Sequence, residues 1–381
     1  MPRKNIRFGS WTDQECYDFT GFKRLQLQRI YRLFGLLQFA SQWADGYIRI
    51  ENRSGDSLRF HPEEVFLFLM MKMRTGFTNK SMCDLMFGGN ASIWSYGWPW
   101  ILHYLDDRYQ HIVGHQGLRR FVQLFPSFFD AIQNYIRKPT THHLNDGTSV
   151  VHDGLRFLPH SIFGFIDCSI FKINRPYSGP NGDFVGAPRH PDHFIAQRAV
   201  YTRYKKLHGI KVETVHLPNG LSTVYGPVSA RPHDVSGVLR LSGLDGFLRY
   251  IQQAAVDVYG LFGDGIYNQN GLMCIRSYYR SYGLLNLLTP WQRRVNQKMR
   301  PIRETIEWSY GDIGNIFRLS PCPDNYKLGK RHPYAQAQLR TCFLIYSCYV
   351  CLNGNKLSSY KMFDCRPPSL ENYLDLNLQA F

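Results

Sequence analysis

No apolar run in this sequence reaches the ~20 residues that a membrane-spanning helix needs. The longest, CFLIYSCYVCL from Cys342, is too short and reads as a buried C-terminal helix. The opening MPRKNIRFGS lacks the apolar core of a secretory leader, so secretion is not expected. There is no internal repeat and no long low-complexity stretch. The nine cysteines are odd in number and scattered, which excludes a disulfide framework. Cys348 and Cys351 form a CxxC, but in an apolar run without a second pair or a His at ligand spacing. They read as core thiols rather than structural zinc, which takes about four ligands, and a reducing compartment, nuclear or cytoplasmic, is expected. Acids are scarce too: 29 Asp and Glu face 45 Lys and Arg, a net charge of +16. That balance favours an acidic polymer or an anionic surface, and with no membrane signal nucleic acid is the expected partner.

What is present points to a folded chain. Of 381 residues 44% are apolar and 15% aromatic, a globular composition able to bury a large core. Residues 1–150 read as helical. Within them HPEEVFLFLMMKMRTGFTNKSMCDLMFGGNASIWSYGWPWILHYL (61–105) predicts an apolar helix ending near Gly76, a second capped by Thr78 or Asn79, a GGN turn and a third opening at Ala91. This is the outline of a helix-turn-helix or of a plain packing unit, and Pro99 is expected to break or kink its last helix.

From 161 the pattern turns to strands: FGFIDCSIF, LHGIKVETVHL (207–217) and, after a PNG turn, LSTVYGPVSA (221–230). A helix is expected from Asp234 to about Val258, strands at YGLFGD (259–264) and GLLNLLT (283–289), a helix from Pro301, and a C-terminal helical extension over 321–381. The order β-β-β-α-β-β-α over 151–320 is α/β and resembles the ribonuclease-H-like fold, in which metal-binding carboxylates sit on the first strand, just after the fourth, and on the late helix.

Three acids stand at such places. Asp167 interrupts a strand otherwise rich in Ile and Phe, although Asp is depleted from strands. Asp264 ends its strand between two glycines, where the backbone can turn sharply. Glu307 lies on PIRETIEWSYGDIGNIF, whose Ile302, Ile306, Tyr310, Ile313 and Phe317 mark a buried stripe. Each acid alone has an ordinary explanation: a turn Asp, or a solvated Glu beside Arg303. Together they are what a two-metal phosphodiester site needs, since hard cations such as Mg²⁺ prefer carboxylate oxygens and acids gathered without metal would repel one another. Glu304 shares the flank of Glu307, and periodicity does not choose between them.

The blocks GFIDCS, PVSARPHD, LFGDGIY and RETIEWSYG stand in the order and rough spacing of DDE-superfamily nucleases of the PIF/Harbinger transposase type. The family's own blocks read like G-x-[IV]-D-G-T, P-G-S-x-H-D, G-D-x-x-Y and R-x-x-[IV]-E-R-x-F-G. The resemblance covers 161–317, and 60–105 more loosely. It implies Asp167, Asp264 and Glu307 as catalytic triad and ligands of two Mg²⁺ or Mn²⁺ ions, with Glu307 preferred to Glu304. Asp234 either caps the helix that follows or binds metal, and His233 is a candidate second contact. Cys168 and Ser169 replace the usual Gly-Thr, and Trp308 stands where a basic residue is common. The resemblance further implies terminal inverted repeats as substrate, a separate Myb-like DNA-binding partner, a homo-oligomer when active and a nuclear location.

Residues 161–320 carry 19 Lys and Arg against 11 Asp and Glu, so half of the excess charge surrounds the acids. RRVNQKMRPIR (293–303) is the densest cluster. Arg293, Arg294, Lys298, Arg300 and Arg303 are candidate phosphate contacts, as are Lys205 and Lys206 in the Tyr-bearing RAVYTRYKKLHGIK (198–211). A DNA endonuclease and transposase is the expected function. A decayed, element-derived DNA-binding or adaptor protein, and a host nuclease without strand transfer, are the alternatives.

Overall fold

The computed structural model describes residues 6–143, 149–152, 161–173, 198, 200–203, 205–229, 239, 243–254, 259–263, 267, 274–276, 288–318, 335–359 and 362–375. The expected three-helix outline is present. Helix α4 (Pro62–Thr75) starts on a His61 cap with Pro62 in its first turn, and ends at Gly76, whose φ of 70° favours a residue without a Cβ. Thr78 caps α5 (Asn79–Met82), which runs into a π turn over Cys83–Phe87, and Asn90 caps α6 (Ala91–Val113).

Of the break or kink expected at Pro99, the break does not occur: α6 runs through it. An interior proline costs roughly 3 kcal/mol, but this helix buries Trp94, Trp98, Ile101, Leu102, Leu105 and Tyr109, and Trp94 stacks on Phe68 of α4 with centroids 3.9 Å apart. Aromatic burial on that scale outweighs the missing bond. Its exposed side carries Ser92, Ser95, His103, Asp107 and Gln110, and its one arginine, Arg108, is half-buried.

The first 150 residues are not wholly helical. Besides α1 (Asp13–Thr20), α2 (Arg24–Phe34), α3 (Leu36–Ala40), α7 (His115–Arg119) and α8 (Phe125–Arg137), they form a hairpin of β1 (Ile48–Glu51) and β2 (Ser57–Phe60), and begin a second of β3 (Thr140–His143) and β4 (Ser149–His152). The first hairpin is set by its turn: the Asn52 side chain accepts from the Ser54 and Asp56 amides.

The central sheet is mixed. β5 (Ser161–Lys172) pairs antiparallel with β7 (Leu207–His216), which pairs antiparallel with β8 (Ser222–Ser229). On its other side β5 pairs parallel with β9 (Tyr259–Gly263), and β9 parallel with β10 (Cys274–Arg276). The spatial order is β8-β7-β5-β9-β10, with the short β6 (Tyr201–Thr202) paired to the start of β7. The strand beside β9, Cys274–Arg276, was not expected, since a three-residue pairing leaves almost no periodicity to read; of the strand expected at 283–289, residues 283–287 lie outside the described residues.

Helices cover both faces. One buried cluster joins Phe163, Ile166, Val215 and Leu261 of the sheet to α4, α6, α9 (Leu244–Ala254) and α11 (Ala335–Asn353). The other joins Ile162, Phe165 and Phe262 to Ile132 and Ile136 of α8, to α10 (Pro290–Ile316), and to Leu357, Met362 and Phe363. The run from Cys342 is buried in α11, as expected; burial holds the Cys348 thiol well above its usual range and pushes that of Cys351 up to about 12. Arg120 binds the Asn372, Tyr373 and Asp375 carbonyls at the end of α12 (Leu370–Leu374). No helix among the described residues is long and apolar enough to cross a membrane.

Candidate active site

Burial along β5 changes at Asp167. Ile162 to Ile166 are buried, whereas Asp167 to Ile170 are half-buried, so the acid sits where the strand emerges from the core. Asp167 lies opposite Thr214 of β7. Directly opposed residues in an antiparallel pair project to one face, and the Thr214 hydroxyl bonds the Tyr310 hydroxyl of α10. Asp167 therefore faces the helix that carries Glu307.

On the other side of β5, the parallel pairing with β9 ends at Ile166 opposite Gly263. These two residues immediately precede Asp167 and Asp264 in the chain. A Cβ on Gly263 would lie 2.7 Å from Ile166 Cγ2 and 2.8 Å from Tyr267 Cδ2, so glycine is required there by close approach. Tyr267, the last residue of LFGDGIY, is fully buried over this glycine. Asp264 itself lies outside the described residues, as do His233 and Asp234.

α10 begins at Pro290, eleven residues before the expected start. Thr289 and Gln292 form its capping box, and Pro301 falls inside the helix. Glu304 is consequently not a first-turn acid, and a favourable N-terminal dipole does not explain it. It pairs instead with Arg300 one turn back, Nε to Oε1 at 2.9 Å. Tyr310 fixes which side of the helix meets Asp167, since its hydroxyl lies 3.3 Å from the Asp167 carbonyl oxygen. At 100° per residue, Glu307 is about 60° from Tyr310 around the axis and Glu304 about 120°. Glu307 is thus the acid on the flank nearer Asp167, and it is exposed. Trp308, about 160° from Tyr310, lies on the outer side of the helix, with Lys356 Nζ 4.8 Å from its ring centroid.

The basic cluster does not share one face. Arg293, Arg294 and Arg300 are exposed, but Lys298 is only 5% exposed and donates from Nζ to the Lys138 carbonyl at 2.7 Å. Lys298 is thereby removed from the expected phosphate contacts: a buried ammonium aimed at the backbone at the end of α8 ties α8 to α10. The Arg303 side chain is outside those described. Lys205 and Lys206 are exposed in the turn before β7, close to the exposed Tyr201.

Sequence reasoning missed a polar chain inside the site. Thr214 Oγ1 lies 2.9 Å from His216 Nε2, and His216 Nδ1 lies 2.8 Å from Ser222 Oγ, all buried between β7, β8 and α10. Burial lowers the His216 pKa to about 3, so the imidazole is neutral. On the other face of β7, Glu213, opposite Cys168, is fully buried. The Cys168 thiol is pushed up to about 12, by burial first and then by the Glu213 and Asp167 charges, which keeps it protonated. The signal was visible as VETVH: three polar residues in an apolar strand.

Among the described residues, no three His, Cys, Asp or Glu side chains gather closely enough to hold a metal. No family model matches the chain, and no curated protein or solved structure matches it either.

Proposed function

We propose that this protein is a metal-dependent DNA endonuclease of the DDE type, with a ribonuclease-H-like core and a transposase's cleavage and strand-transfer chemistry. One observation carries the reading: two parallel central strands end their pairing one residue before Asp167 and Asp264, while the helix bearing Glu307 is hydrogen-bonded to Asp167 through Tyr310. The strand order β8-β7-β5-β9-β10, with only β7 running against its neighbours, supports the same core.

The residues suit hard divalent ions. Asp167 is a half-buried carboxylate at the point where its strand leaves the core, and Glu307 is an exposed carboxylate on the facing helix; with Asp264 they would hold two Mg²⁺ or Mn²⁺ ions. Ions bound there supply the charge that activates the attacking oxygen and stabilises the leaving one during in-line displacement. The chain's own part is positioning: β5 presents Asp167 rigidly, and α10 presents Glu307 on the same side. The exposed Arg293, Arg294 and Arg300 neutralise backbone phosphates along that helix, with Lys205 and Lys206 as further contacts. In this reading cleavage leaves a 3′-hydroxyl that attacks target DNA, the substrate is the element's terminal repeats, and a Myb-like DNA-binding partner, a homo-oligomer and a nuclear location accompany it.

The test is a cleavage and joining assay on DNA carrying the element's ends, with Mg²⁺ or Mn²⁺. Cleavage and joining that require metal and disappear in Asp167→Asn support the proposal. Cleavage without joining would assign a host nuclease, and binding without cleavage a DNA-binding adaptor.

A further inference from the structure

Three buried side chains and the half-buried Tyr310 form a hydrogen-bonded line that ends on the residue bearing the first acid. A carbonyl oxygen can only accept, so the Tyr310 hydroxyl donates to Asp167 O at 3.3 Å. Its single proton being used, Tyr310 accepts from Thr214. Thr214 in turn accepts from His216 Nε2–H at 2.9 Å, and His216 Nδ1 accepts from Ser222 at 2.8 Å. This direction uses every donor once and requires the Nε2–H tautomer of a neutral imidazole. The His216 ring also meets the Tyr310 ring edge to face, with centroids 5.5 Å apart.

Among the described residues, Val295, Met299, Ile302 and Ile306 of α10 pack against the sheet in an apolar cluster. Such packing is non-directional and leaves the axial position of a helix loosely specified. A hydrogen bond has a narrow range of length and angle, and a fully satisfied buried chain rigidifies what it joins. Here it joins the backbone of Asp167 to a residue one turn from Glu307. The geometry points to Tyr310 as a positioning residue: its hydroxyl, backed by Thr214, His216 and Ser222, sets the separation between the strand bearing Asp167 and the helix bearing Glu307, and so tunes their joint hold on a divalent cation. This inference rests on the nuclease reading above.

The experiment titrates Mn²⁺ into the full chain and follows free Mn²⁺ by electron paramagnetic resonance, with no turnover involved. Wild type is expected to take up Mn²⁺ and Asp167→Asn to lose that uptake. Tyr310→Phe keeps the ring, and Phe stands at this place in the motif the chain resembles, so the variant is expected to fold. Thr214→Val removes the same link from the strand side. Each should weaken Mn²⁺ binding by about tenfold, as loss of a group orienting a ligand typically does, with circular dichroism and thermal unfolding showing a folded chain. Combining them should weaken binding no further. Wild-type affinity in folded Tyr310→Phe or Thr214→Val would overturn the positioning role while leaving the nuclease reading intact. Absence of Asp167-dependent Mn²⁺ uptake in wild type would overturn the nuclease reading itself, and this inference with it.

Discussion

Helices α6 and α10 are the two longest among the described residues and are built alike. Each starts on a side-chain cap, and each carries a proline well inside it, Pro99 and Pro301. Their surroundings differ. α6 is clamped between α4 and α11, and its one deeply placed acid, Asp106, forms a two-bond ion pair with Arg340 of α11, with Nε to Oδ1 at 2.6 Å. α10 buries one stripe on the sheet and turns Arg293, Arg294, Arg300, Glu304 and Glu307 towards solvent. Caps and length say that a helix forms. The distribution of charge around it decides whether it serves as packing or as a working surface.

The comparison can be broken in either direction. The largest effect is expected on α10's side of the sheet: Asp167→Asn and Glu307→Gln should each reduce metal-dependent cleavage to background with the melting temperature nearly unchanged, measured by nicking of labelled DNA beside a thermal melt. A folded Glu307→Gln that cleaves normally beside an inactive Glu304→Gln would reverse the choice between the two glutamates. On α6 the pattern should invert. Trp94→Ala removes a fully buried indole and should cost about 3–5 kcal/mol. Asp106→Ala leaves Arg340 nearly buried without its counter-ion, for a similar loss of about 3–5 kcal/mol. Urea unfolding reads both, and neither change touches a proposed ligand.

A pH series separates the regions further. Burial lowers the His216 pKa to about 3 from an ordinary 6.5, so between those values the unfolded chain binds more protons and stability falls as pH drops. At pH 5 the contribution lost is about 2 kcal/mol, seen as a flatter slope of unfolding free energy between pH 5 and 7 in His216→Asn. Replacing Arg293, Arg294 and Arg300 by Gln should weaken DNA binding irrespective of sequence and flatten the slope of log affinity against log salt by up to ~0.9 per contact. An unchanged slope would make the cluster merely a solvated face. The smallest effect is expected at the exposed Arg300–Glu304 pair, where Glu304→Gln should change stability by about 0.3–0.5 kcal/mol.

Much of this architecture was legible. The cap at Thr78, one of two residues expected for it, the helix opening at Ala91, the stop at Gly76, the strands around Asp167 and at 259–263, and the apolar stripe of α10 followed from local chemistry and periodicity, which act over a few residues and leave a regular trace. The misreadings share a cause. Proline favours a first turn, which makes Pro301 the expected helix start, but the Thr289 cap twelve residues earlier begins the helix. Of the break or kink expected at Pro99, the break does not occur, because the packing of α6 overrides the penalty. The strand 274–276 is too short to show alternation, and Lys298 looked like its neighbours in a basic run although its side chain points inward.

By itself the amino-acid sequence determined the composition of the candidate site: three acids in separate blocks, a surplus of positive charge around them, and the helices and strands on which Asp167 and Glu307 lie. Only the tertiary structure decided what those residues face. It set Asp167 opposite Thr214, brought Tyr310 onto the Asp167 carbonyl across 143 positions of sequence, and thereby put Glu307 rather than Glu304 on the flank nearer the strand. The reason is physical: propensity and periodicity belong to one element at a time, whereas the relation between a strand and a helix far along the chain is fixed by packing and by buried hydrogen bonds that exist only once the sheet has formed.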